Sequence, residues 1–140
     1  MLRVGREWFA VVEYWCSGMA MLIKRVSSLP AFIANDGCLI REVLHPSHGD
    51  CRLDYSLALA EVAVGEATYR HWLEQSEVYF ILEGEGDLHI GTETARVVAG
   101  DAAVIPPQLE QWIENVGPCT LRFLAICSPP WRANADHRLD

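Results

Sequence analysis

Residues 65–84 read G-E-A-T-Y-R-H-W-L-E-Q-S-E-V-Y-F-I-L-E-G. Gly65 is a turn signal, and residues 69–73 follow it. A second run over 77–82 has Val78, Tyr79, Phe80 and Ile81 at its centre, and Gly84 ends it. β-Branched and aromatic residues bounded by glycines favour pleated strands over a helix. Side chains of a strand alternate between its faces, so Tyr69, His71 and Leu73 share one side, and Arg70 and Trp72 the other. The same parity groups Glu77 with Tyr79 and Ile81. If His71 faces inward, an imidazole and a carboxylate enter the interior from two successive strands, among otherwise apolar neighbours.

The pattern continues on both sides. Upstream, Leu-Ala-Leu-Ala-Glu-Val-Ala-Val over 57–64 reads as a buried strand. Downstream, short apolar runs at 88–90, 94–98, 102–105, 111–114 and 120–126 alternate with turn signals: Gly91-Thr92-Glu93, Gly100-Asp101, Pro106-Pro107 and Asn115-Val116-Gly117-Pro118. Short strands at near-regular spacing predict an all-β sandwich or barrel rather than alternating β and α units. In the 111–114 run, Gln111 and Ile113 share a face.

The whole chain has 140 residues, 51% apolar and 21% charged, which suits a single folded domain. Its net charge of -8, with no Lys/Arg cluster, repels phosphate backbones and anionic lipid, so neither nucleic acid nor membrane is an expected partner. No apolar run is long enough to span a bilayer. The five cysteines are scattered, without a C-x-x-C pair, and read as free thiols in a reducing, cytoplasmic setting. The apolar run from 8 to 21 is interrupted by Glu13, which leaves residues 1–20 as an N-terminal extension. Residues 21–140 are the expected domain, with a barrel core at about 36–131 and a polar tail after Trp131.

Two segments carry a family resemblance. Gly65, His71, Glu77 and Gly84 match four of the five markers of the first cupin motif, G-x5-H-x-H-x3-4-E-x6-G, with Leu73 in place of the second histidine. Gly100, Pro106 and Asn115 match the second motif, G-x5-P-x-G-x2-H-x3-N, with Gln108 in place of the glycine and Gln111 in place of the histidine. The chain thus resembles the cupin superfamily, and in particular the single-domain cupins labelled mannose-6-phosphate-isomerase-like. That resemblance implies a double-stranded β-helix, or jelly-roll barrel.

It also implies a divalent metal, Mn, Fe, Ni or Zn, held in the barrel by His71, Glu77 and Gln111, with Glu77 arriving from the strand next to that of His71. No organic cofactor is implied. Tyr69, Leu73, Tyr79, Ile81 and Ile113 are the expected pocket-lining residues, and Tyr69 and Tyr79 are the candidates for orienting a substrate. The function implied is binding of a small polar metabolite, with isomerisation or oxygen-dependent chemistry on it. The residues leave two other readings open. One is a metal-free binding or sensing module in which His71, Glu77 and Gln111 satisfy one another. The other is a purely structural domain whose pocket is filled by Leu73, Ile81 and Ile113. His45, His48, His89 and His137 fall at no motif position and are expected to be solvated or locally bonded, although the His-Pro-Ser-His stretch could send a donor toward the pocket. Trp72, Phe80 and Trp112, read as outward on neighbouring strands, suggest a homodimer.

Overall fold

The computed structural model describes residues 21–49 and 52–140. The extension at 1–20 and the thiols Cys16 and Cys51 lie outside the described residues. Eleven strands follow in order: β1 (Phe32–Ile33), β2 (Leu39–Leu44), β3 (Ser56–Val62), β4 (His71–Leu73), β5 (Ser76–Glu83), β6 (Glu85–Ile90), β7 (Glu93–Val98), β8 (Ala102–Ile105), β9 (Gln111–Asn115), β10 (Leu121–Ser128) and β11 (Asp136–Arg138). They form two antiparallel sheets, one ordered β1-β2-β3-β10-β5-β8 and the other β11-β4-β9-β6-β7. From β3 onward the chain passes repeatedly between the sheets, which is the winding of a double-stranded β-helix. The all-β class expected from the turn spacing, and the jelly roll implied by the motif resemblance, are therefore the observed architecture.

The alternation read from the sequence sets the core. Ile81 on β5, Ile113 on β9, and Leu121 and Phe123 on β10 are each at most 1% exposed. Each such burial contributes roughly 1.5–3 kcal/mol relative to exposure. Their outward neighbours Phe80 and Leu82 are exposed.

The motif positions have structural reasons. Gly84, between β5 and β6, has φ 86°, and a Cβ there would lie 3.0 Å from the Thr120 carbonyl oxygen. Turn conformation and crowding together exclude a side chain. Asn115 donates from Nδ2 to the carbonyls of Val62 and Cys119 and accepts from the Gly117 amide, tying β9 to β3 and to the following hairpin. At the position where the second motif has a glycine, Gln108 has φ 67° and is the only non-glycine residue with positive φ among those described. Its amide donates to the Leu73 carbonyl at 2.7 Å, so the left-handed turn survives the loss of the glycine at a cost in backbone strain.

Three features differ from the sequence reading. First, the sheets extend past the expected 36–131 core: β1 pairs with β2, and β11, drawn from the supposed polar tail, pairs with β4. Asp-His-Arg lacks a strand composition, but it occupies an open edge whose backbone groups need partners. Second, the strands carrying His71 and Glu77 are not adjacent, because β4 and β5 lie in different sheets. Third, Trp72 and Trp112 belong to one sheet and Phe80 to the other, so they do not form one patch. The two tryptophans instead stack on His137 and His89, at centroid separations of 4.1 and 4.2 Å.

Candidate functional site

The crossing from β4 to β5 makes the site. His71 starts β4 in one sheet and Glu77 lies near the start of β5 in the other, so the two groups come from facing walls onto one cavity of about 240 Å³. Both are buried, at 3% and 6% exposure. Leu73 and Tyr79 also line this cavity, as their parity required.

His71 is oriented by the backbone. Its Nδ1 lies 2.9 Å from the Tyr69 carbonyl oxygen, which can only accept, so Nδ1 carries the hydrogen and Nε2 is left with a lone pair in the neutral ring. Glu77 is held at one oxygen: Cys127, directly opposite it on β10, donates its thiol hydrogen to Oε2 at 3.1 Å. Oε1 is buried and has no partner. Burial pushes the Glu77 carboxyl up to about 7, against the opposing pull of the Cys127 hydrogen bond and of His71. Gln111 pairs with His71 in register on β9, and its side-chain amide lies close enough to Glu77 to favour the ionised carboxyl without reaching the geometry of a full hydrogen bond; its own Oε1 is also buried without a partner.

Other groups on the cavity wall carried no motif signal. Asp36 accepts from the amide and the thiol of Cys38. Burial raises the Cys38 and Cys127 thiols well above their ordinary value, so both remain protonated donors rather than nucleophiles. Asp136, at the start of β11, accepts from the Trp131 indole at 3.0 Å through Oδ2, while Oδ1 is buried and unpartnered. His45 reaches the wall, but its Nε2 bonds the Trp131 carbonyl at 2.8 Å and its Nδ1 accepts from the Ser47 amide. His48 pairs with Glu42, and His89 with Glu114 and Thr94. Asp136 sits in a polar segment that becomes part of the site because β11 docks on β4.

Three expected lining residues lie elsewhere. Tyr69 is 43% exposed: its amide is drawn to the Asp36 carbonyl at 2.6 Å before β4 begins, which breaks the alternation with His71. Its ring lies against Gly37, where a Cβ would be 2.7 Å away, and under the Arg138 guanidinium. Ile81 and Ile113 lie in the closed core, two residues beyond Tyr79 and Gln111, where the sheets meet.

A resident divalent ion needs three or four strong donors aimed at one point. His71 and Glu77 supply two. Gln111 adds a neutral amide oxygen, and Leu73 adds nothing. Among the described residues no group of three His, Cys, Asp or Glu is placed to hold an ion. The donor set does not fit a tightly held resident metal.

Comparison with known proteins agrees with this geometry at the level of fold. The cupin domain model matches residues 58–127. An uncharacterized protein of Methanocaldococcus jannaschii is 36% identical over 115 residues, covering 81% of this chain and 90% of its own. Among solved structures, a predicted oxalate decarboxylase of Thermotoga maritima is similar with TM-score 0.67 and 22% identity, over 77% of this chain and 99% of its own. The polyketide cyclase RemF of Streptomyces resistomycificus has TM-score 0.71 and 20% identity, with 86% of each chain covered.

Proposed function

Because the chain belongs to the cupin domain family, we propose that it binds a small polar molecule in the cavity between its sheets, with His71 and Glu77 as a proton-exchanging centre that works without a resident metal. The observation that carries this reading is the half-satisfied Glu77. A buried carboxyl oxygen without a partner costs on the order of 1–3 kcal/mol unless something bonds to it, and Glu77 is among the residues that line a cavity large enough for a ligand. From the facing wall, His71 offers a fixed lone pair. A base and an acid on opposite walls suit removal of a proton from one side of a bound molecule and its return from the other, as an isomerisation requires. The similar fold of a polyketide cyclase supports only the principle that such a barrel can host small-molecule chemistry.

The test is metal analysis of protein purified without chelator or nickel resin, together with a ligand screen read by amide NMR. Less than about a tenth of an equivalent of metal, with ligand-induced shifts at cavity residues, is the expected result. Stoichiometric Mn, Fe, Ni or Zn that disappears in His71→Ala would overturn the metal-free reading.

A further inference from the structure

The charge balance of the cavity wall points to a substrate class. Two carboxylates on it, Glu77 and Asp136, are built alike: one oxygen is anchored by a protein donor, the Cys127 thiol or the Trp131 indole, and the other is buried and unpartnered. Glu77 is only 6% exposed. Asp36 and Glu42, the latter beside His48 and His45, add two further acids to the same wall, whereas no lysine or arginine is among the described residues that line it. Nearby guanidinium groups are engaged elsewhere, Arg138 over the Tyr69 ring, Arg132 beside Glu74 and Arg70 with Asp140 and Glu110. The remaining wall is apolar and aromatic, with Phe32, Leu73 and Phe123 among its members.

Resting on the reading of this cavity as a ligand pocket, we propose that its ligand is an organic cation, an ammonium group on a compact apolar or aromatic body, whose N–H donors pair with the carboxyls of Glu77 and Asp136. An ammonium supplies three donors and a positive charge, matching acceptors that have neither. A carboxylate or phosphate would instead meet Glu77, Asp136 and Asp36 on a wall with no lysine or arginine among its described residues, which disfavours it. The apolar walls accommodate the body, as in other small-molecule sites where few polar groups fix orientation.

The experiment compares three probes of similar shape on the full chain at neutral pH, 2-phenylethylammonium, 2-phenylethanol and phenylacetate, by calorimetry and amide NMR. The ammonium binds at least about tenfold more tightly than the alcohol, and phenylacetate binds weakest. Asp136→Asn and Glu77→Gln each reduce the preference for the ammonium by about threefold or more while keeping the alcohol; a native amide spectrum checks their folding, and the wild-type ranking needs no variant. If the alcohol binds as tightly as the ammonium, or phenylacetate binds best, the cation inference falls and the pocket stands. If no probe binds, both fall. If equimolar Mn(II) abolishes ammonium binding, the acids serve a metal and the inference is likewise overturned.

Discussion

Replacing Glu77 by glutamine removes a proton-binding group from the centre of the barrel while keeping its shape and an oxygen for the Cys127 thiol. Burial holds the native carboxyl at about 7, against an ordinary value of 4.5. Between those values the folded protein carries a proton that the unfolded chain has released, so native stability is greatest in acid and falls as pH rises through that window. Integrated from about pH 5 to about pH 8, the loss is roughly 2–3 kcal/mol, since each tenfold difference in proton affinity between the folded and unfolded chain is worth about 1.4 kcal/mol and part of the difference is already expressed below pH 5. The Glu77→Gln variant lacks this contribution. Urea unfolding of both proteins at the two pH values, with stability taken from midpoint and slope, measures it as the change in their difference. Wild type should lose about that much relative to the variant on going to pH 8. Parallel pH dependences would refute the claim that Glu77 is buried, poorly compensated and holds its proton well above the ordinary carboxyl range.

Gln108→Gly should raise stability by about 0.5–1 kcal/mol, because relief of the left-handed strain outweighs the extra freedom of glycine in the unfolded chain; a thermal melt checks it. Asn115→Ala removes three hydrogen bonds from a buried junction and should cost about 2–4 kcal/mol in denaturant unfolding. Leu73→His places a second imidazole on the inward face of β4, two residues from His71, and should raise Ni or Zn affinity by about tenfold or more over wild type in calorimetric titration, with His71→Ala abolishing the gain. Unchanged affinity would show that position 73 does not face the same space.

Much of this protein is legible in its sequence because strand alternation and turn chemistry are local. Runs such as 77–82, closed by a glycine that must adopt positive φ, specify their own strand and its inward face, and the all-β class follows. The match of Gly65, His71, Glu77 and Gly84 to the cupin motif likewise implies which polar side chains enter the barrel. Parity, however, holds only while the chain is extended: Tyr69 turns outward because a hydrogen bond to Asp36 intervenes before β4 starts. Which residues meet across the barrel is a long-range matter. The pairing of Cys127 with Glu77, the docking of β11 that brings Asp136 to the cavity, and the separation of β4 and β5 into facing sheets depend on contacts between segments distant in the chain, and no local pattern records them. Sequence alone determined most of the strands and which side chains of each share a face; tertiary structure decided that His71 and Glu77 face each other across one cavity, because only sheet closure brings those walls together.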